Sequence, residues 1–271
     1  MQTHVALDWE PPRPFVEPVV PMLVCLLGTF RVLKVGTPVQ LRGGVKGENL
    51  LVALALGPEY GVARDELIAQ LWPDGQLALA AQSLNSLIYS LHRLLGDALG
   101  GASAIVYESG AYRLNWEAGI SLDVTLFDRL THAGKIRQRA GEHAAAAASF
   151  EQAVACYRGD LCVATDSRAI IERERLRAQC LNVLAFLADY HFAARDYSRA
   201  LDDALALLVR DPCREDAHRL VMRCYAKRGD RSQALRQFRV CESVLRGEFD
   251  ALPERATVEL FDQLRTQPES L

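Results

Sequence analysis

Residues Trp72–Leu95 read WPDGQLALAAQSLNSLIYSLHRLL, and the fold turns on how that stretch is taken. After the breaker Pro73-Asp74-Gly75, the residues Leu84, Leu87, Ile88, Leu91, Leu94 and Leu95 recur at the i, i+3, i+4, i+7 spacing of one helical face, which predicts that this face is core. The opposite face carries Gln82, Ser83, Asn85, Ser86, Tyr89, Ser90, His92 and Arg93. Short polar groups with one aromatic ring and two potential cations suit hydrogen bonding to base edges and phosphates. They equally suit the solvated side of an ordinary surface helix, so the flanking segments have to decide.

Upstream, KGENLLVALAL from Lys46 to Leu56 has a helical pattern that Gly57-Pro58 stops, and Ala63 to Leu71 forms a second short helix with Leu67, Ile68 and Leu71 apolar. Before them, from Leu23, the chain reads LVCLLGTFRVLKVGTPVQL. Phe30, Val32 and the alternation Leu33-Lys34-Val35 predict strands of a small antiparallel sheet, with a turn at Gly36-Thr37-Pro38. Downstream, past Gly100-Gly101, the β-like runs Ala104–Tyr107 and Tyr112–Trp116 flank Glu108-Ser109-Gly110-Ala111, the signature of a hairpin. A strand pair following a three-helix unit is a wing. Met1 to Pro21, with Pro11, Pro12, Pro14, Pro18 and Pro21 and few core formers, reads as a flexible arm.

Beyond the hairpin the sequence repeats. GEHAAAAASFEQA from Gly141, RDYSRALDDALALLVRDP from Arg195 and GDRSQALRQFRVCESVL from Gly229 each place an alanine five positions on, at Ala146, Ala200 and Ala234. The packing positions nine and twelve on are Phe150 and Ala153, Ala204 and Leu207, Phe238 and Cys241. The second and third starts lie 34 residues apart, which is the tetratricopeptide period. The first interval is longer, with a loop expected over Leu161 to Ser167 and a long helix from about Arg168 to Ala193. Stacked helical repeats make a groove suited to a helix or extended peptide; bracing of the first half is the alternative use.

The 271 residues, half of them apolar, are enough for about two packed domains. No run of about 18 uncharged apolar residues occurs, and the Pro-rich start lacks a signal peptide's basic and apolar regions, so no membrane contact and a cytoplasmic location are expected. Cys25, Cys156, Cys162, Cys180, Cys213, Cys224 and Cys241 form no CxxC pair and are odd in number, which speaks for small core residues rather than a zinc site or disulfide framework. The net charge is −3, and up to Ser121 eight basic residues face eleven acidic ones. Phosphate neutralisation supplies most non-specific DNA affinity, so any contact with DNA must use a local patch and act modestly per copy.

The sequence holds no GxxxxGK[ST], no GxGxxG after a strand, no HExxH and no GxSxG, and His4, His92, His132, His143, His191 and His218 are scattered. His191 and Asp189 fall inside a helical repeat, and ERERLR at Glu172–Arg177 reads as a solvated ion-pair face. No enzyme activity, cofactor or metal is expected.

Taken in order, LRGGVKGENLLVALAL, VARDELIAQLWPD, SLNSLIYSLHRLLGD and YESGAYRL resemble the winged-helix domain of the Streptomyces antibiotic regulatory proteins, of the response-regulator type, and SLDVTLFDRL stands where their linker enters an all-helical bacterial transcriptional activator domain. The resemblance covers about Leu23 to Leu264. It implies a mainly α fold with a small β component: an arm over 1–21, a winged helix-turn-helix DNA-binding domain over 22–118 and a tetratricopeptide-like activator domain over 119–271.

It further implies that the helix Leu77 to Leu95 enters the major groove while the wing meets the adjacent minor groove or backbone. Asn85 and Ser86 would then meet base edges, Tyr89 the sugar-phosphate or a thymine methyl, and His92 and Arg93 phosphates, with Ser83 and Ser90 on the same DNA-binding face. Arg64, Arg113 and Lys46, the last matching a basic position of the family, would hold phosphates as well. The implied partners are promoter direct repeats in double-stranded DNA, RNA polymerase, and a second copy of the chain on DNA. Family members usually carry several arginines along the recognition helix, where this chain has Ser90, His92 and a single Arg93. A tandem pair on direct repeats offsets weak single contacts. The competing class is an interaction scaffold whose winged helix has lost DNA and whose repeats dock a protein.

Overall fold

The computed structural model describes residues 20–41, 43–75, 77–162 and 167–266, with only the backbone at 77, 167 and 168. The expected arm over 1–21 lies outside them except for its last two residues, as does most of the loop expected over Leu161 to Ser167. Two compact units divide the chain: the described residues up to Arg129 with Ala155–Glu174, and Leu130–Val154 with the described residues from Arg175 onward.

The first unit runs β1 (Met22–Cys25), β2 (Arg31–Lys34), β3 (Thr37–Val39), α1 (Gly44–Leu56), β4 (Val62–Ala63), α2 (Arg64–Leu71), α3 (Leu77–Leu95), β5 (Ile105–Glu108), β6 (Ala111–Leu114) and β7 (Ile120–Leu122). One sheet has the order β3-β2-β1-β7, antiparallel except where β7 pairs parallel with β1. The other has the order β4-β6-β5 and is the wing. Its hairpin turns on Ser109 (φ 53°) and Gly110 (φ 87°), the two positive φ angles of a type I′ loop whose twist matches the flanking strands.

The helices form as their apolar spacing dictates. Leu50, Leu51 and Leu54 of α1, Leu67, Ile68 and Leu71 of α2, and Leu84, Leu87, Leu91 and Leu95 of α3 are all buried. Each such leucine contributes roughly 2 kcal/mol by transfer from water. Gly43 (φ 98°) precedes α1, and a β-carbon there would collide with Cδ2 of Leu87, so the glycine both makes the turn and lets α3 approach the backbone.

The turn expected at Gly36-Thr37-Pro38 starts one residue earlier and is shorter. Val35 (φ 48°) and Gly36 (φ 76°) make it, and Thr37 and Pro38 belong to β3. Proline is tolerated because β3 is the edge strand, where a missing N–H breaks no inner ladder.

The second unit takes most of α4 (Asp123–Arg139) with α5 (His143–Cys156), most of α6 (Ser167–Ala193) with α7 (Tyr197–Arg210), then α8 (Glu215–Lys227), α9 (Arg231–Phe249) and α10 (Arg255–Thr266). The repeat alanines Ala146, Ala200 and Ala234 are all fully buried, as the close approach of paired helices requires. Ala146, Ala147 and Phe150 pack with Val183 and Leu187, and Phe150 leaves no room for a β-carbon on Gly134 of α4. Met222, Ala234, Leu260 and Leu264 form a further cluster, with Phe238 stacked on Phe261 at 4.1 Å between centroids.

The shared start of the repeats is a left-handed residue in every case: Gly141 (φ 79°), Arg195 (φ 62°) and Gly229 (φ 84°). Arginine pays a steric cost there that glycine does not. The exposed Arg195→Gly substitution is therefore expected to raise the stability of the repeat unit by about 1 kcal/mol, read as an upward shift of its urea midpoint.

Candidate nucleic-acid interface

α3 presents one stripe to solvent. Ala78, Leu79, Gln82, Asn85, Ser86, Tyr89 and Arg93 are exposed, Tyr89 at 63%, while Ser83, Ser90 and His92 are half-buried at its margin. The serine hydroxyls bend back onto their own helix: Ser83 Oγ donates to the Leu79 carbonyl at 2.8 Å, Ser86 to Gln82 at 3.1 Å and Ser90 to Leu87 at 2.7 Å. That arrangement satisfies the hydroxyl protons locally and leaves only their lone pairs for an outside partner. His92 turns inward, its Nδ1 accepting the Ala104 N–H at 3.1 Å, and burial pushes its pKa below the ordinary histidine value. At neutral pH it offers one ring N–H, and Arg93 carries the charge at this end of the helix.

The far end of α3 is clamped. Lys34 of β2 donates to the Leu94 carbonyl at 3.1 Å and meets Asp97 at 2.5 Å, placing a cation where the helix dipole is negative. The lysine beside it holds the Asp97 carboxyl below the usual carboxylate range.

The remaining predicted residues lie within the same unit. Lys46 is exposed in the first turn of α1, donates to the Leu71 carbonyl at the end of α2 and stands 5.5 Å over the Trp72 ring. Arg64, half-buried, opens α2, and its backbone N–H donates to Gly110 at the hairpin tip at 3.3 Å. Pairing of Val62 with Tyr112 and of Ala63 with Ala111 fixes the wing beside the start of α2. Arg113 of β6 is half-buried and ion-paired with Glu117 at 3.2 Å and Glu108 at 3.6 Å. It borders a cleft of about 420 Å³ with Trp116, Leu122 and Arg129. Of the predicted phosphate contacts, Arg64 and Arg93 make no side-chain hydrogen bond or ion pair among the described residues, whereas Lys46 and Arg113 are engaged within the unit. Gln82, left out of the predicted site residues, stands in the middle of the exposed stripe; its place on the polar face of the sequence was the available signal.

A family model described as bacterial transcriptional activator domain matches residues 122–265, more than half of the chain. The chain belongs to the bacterial transcriptional activator domain family. Along a longer stretch it is similar to the regulatory protein DnrI of Streptomyces peucetius, 29% identical over 216 residues that cover 77% of this chain and 79% of that protein. In fold it is similar to Mycobacterium tuberculosis EmbR, solved in complex with a low affinity phosphopeptide: TM-score 0.70 at 22% identity, covering 92% of this chain and 66% of EmbR, so that it spans about two-thirds of EmbR's length. The bacterial transcriptional activator domain match thus begins in β7 and ends within α10, and it takes in all three repeats read from the sequence. No described helix is long and apolar enough to cross a membrane.

Proposed function

We propose that this regulator is a sequence-specific, cytoplasmic DNA-binding activator that sits as tandem copies on promoter direct repeats and contacts RNA polymerase. Residues 22–118 serve as the DNA-binding domain and 119–271 as the activator domain. The observation that carries the reading is the exposed polar stripe of α3, in a unit whose two-residue hairpin is tied at its tip to the start of α2, the helix before it; a recognition helix presents such a stripe to the major groove. Asn85, Ser86 and Tyr89 face bases, with Ser83 and Ser90 at the margin. Arg64 and Arg93 hold phosphates, assisted by the His92 ring N–H, and Lys46 and Arg113 reach phosphates only by giving up partners they already have. So few free cations make the affinity of one copy modest, and pairing on direct repeats raises it through effective concentration.

Gel-shift titration of promoter fragments should show cooperative binding that falls steeply between about 50 and 200 mM salt. The double variant Arg64→Ala with Arg93→Ala should weaken binding evenly across sequences and reduce the salt slope by about two. Unchanged binding by that variant rules out the assigned phosphate contacts. A protein complex formed at any salt, with no DNA retained, assigns the chain to the scaffold class.

A further inference from the structure

We infer that the operator positions facing α3 are adenine–thymine pairs, read by the side-chain amides of Gln82 and Asn85. The inference rests on the DNA-binding reading above and concerns which bases that site takes.

Guanine is read in the major groove chiefly by arginine or lysine donating to O6 and N7. From Leu77 to His92 the helix contains neither. Arg93 stands eight residues past Asn85, about 12 Å further along the axis. Helix-turn-helix proteins bring the N-terminal part of the recognition helix to the bases, so Arg93 falls at the phosphate ridge. Exposed Ser86 and half-buried Ser83 add no guanine reader, because they spend their hydroxyl protons on the Gln82 and Leu79 carbonyls. What they keep are lone pairs, which accept from amino groups and repel O6 and N7. His92, next to Arg93, has its Nδ1 taken by the Ala104 N–H and keeps a single ring N–H, which cannot make the paired contact to O6 and N7.

Among the exposed side chains of α3 ahead of Tyr89, the Gln82 and Asn85 amides keep both donors and acceptors, and each is matched in geometry to adenine N6 and N7. Three residues apart, they rise about 4.5 Å along the helix, close to the 3.4 Å step between stacked bases. Ala78 and Leu79 (60% exposed) before them and the ring of Tyr89 (63% exposed) after them flank the two amides with apolar surface, which is the partner a thymine methyl group prefers.

Selection from a random duplex pool with the full chain tests this. The expected motif carries adenine and thymine at the positions that change when α3 is altered. Asn85→Ala should lose roughly tenfold or more of the preference at one of them, Gln82→Ala should do so at a neighbour, and Asn85→Arg should move that position toward guanine. All three side chains replace exposed groups, and an unchanged circular dichroism melt shows that the fold is kept. A motif with guanine at the Gln82 and Asn85 positions, a preference untouched by all three variants, or retained duplexes without any motif overturns the inference while leaving DNA binding in place. If no duplex is retained at all, the DNA-binding reading itself falls, and this inference with it.

Discussion

Asp123→Ala is expected to cost the first unit about 4 kcal/mol. The side chain is 5% exposed at the first residue of α4, and its two oxygens accept three backbone N–H groups: Oδ1 from Leu26 at 2.8 Å and Val124 at 2.9 Å, and Oδ2 from Leu27 at 2.9 Å. Leu26 and Leu27, just past β1, are both fully buried. Alanine would leave their amides with no acceptor and no water, at about 1–3 kcal/mol for each buried donor, with a further loss at the helix start. Asp123→Asn separates geometry from charge. Its one oxygen can still serve Leu26 and Val124, but its NH₂ would face the Leu27 N–H, donor against donor, so a loss of about 2 kcal/mol is expected.

Tryptophan fluorescence during urea unfolding is the measurement, because Trp72 and Trp116 lie in this unit and no tryptophan follows Trp116 in the sequence. A midpoint shift equivalent to less than 1 kcal/mol for the alanine variant would show that the three N–H groups find other partners and that Asp123 does not hold the end of β1.

Nothing local announces that role. Asp123 sits in SLDVTLFDRL, which reads as a linker leading into a helix, and its partners lie nearly a hundred residues earlier. The same distance hides β7. Three residues, Ile120-Ser121-Leu122, are too short for a periodicity, and their parallel pairing with Met22-Leu23-Val24 is a tertiary fact with no turn to signal it. Long elements with strong spacing were readable: α3 begins at Leu77 after its Pro-Asp-Gly breaker, the hairpin turns on Ser109-Gly110, and the repeat alanines are buried where the shared spacing puts them.

At the candidate interface the exposed face of α3 follows from the same periodicity. The engagement of Lys46 with Leu71 and Trp72, of Arg113 with Glu108 and Glu117, and of His92 with Ala104 does not. Composition identifies a cation but not whether a carbonyl or carboxylate has already claimed it, except at Arg113 and Glu117, whose spacing of four residues was visible in the sequence.

In the second unit, His191→Ala is expected to cost about 3 kcal/mol. The histidine, 5% exposed on α6, has Nδ1 2.8 Å from Asp203 of α7 and Nε2 3.4 Å from Glu151 of α5, with Arg199 of α7 3.9 Å from the same glutamate. Removing the ring strands Asp203, whose side chain is 21% exposed, without its partner, and a nearly buried carboxylate left alone is among the costlier lesions.

The pair also sets a pH dependence. The hydrogen bond to Asp203 raises the His191 pKa above 6.5, against the opposing pull of burial. Folding therefore takes up a proton here, so the stabilisation is complete below pH 6.5 and fades as pH rises through the higher folded value. His218, buried with Nε2 2.9 Å from the Pro212 carbonyl and Nδ1 2.7 Å from Gln237, has its pKa lowered by burial, and its contribution is instead lost as pH falls below 6.5. The alkaline limb is thus the one that belongs to His191. Urea midpoints read by circular dichroism should fall between about pH 6.5 and pH 8, short of the region above 9 where buried Cys224 and Cys241, pushed up to about 12, begin to contribute. His191→Gln keeps a hydrogen-bonding side chain without the charge and should flatten that limb while leaving the acid side as it was. A limb of unchanged slope in the glutamine variant would mean that the proton is taken up elsewhere in the repeats.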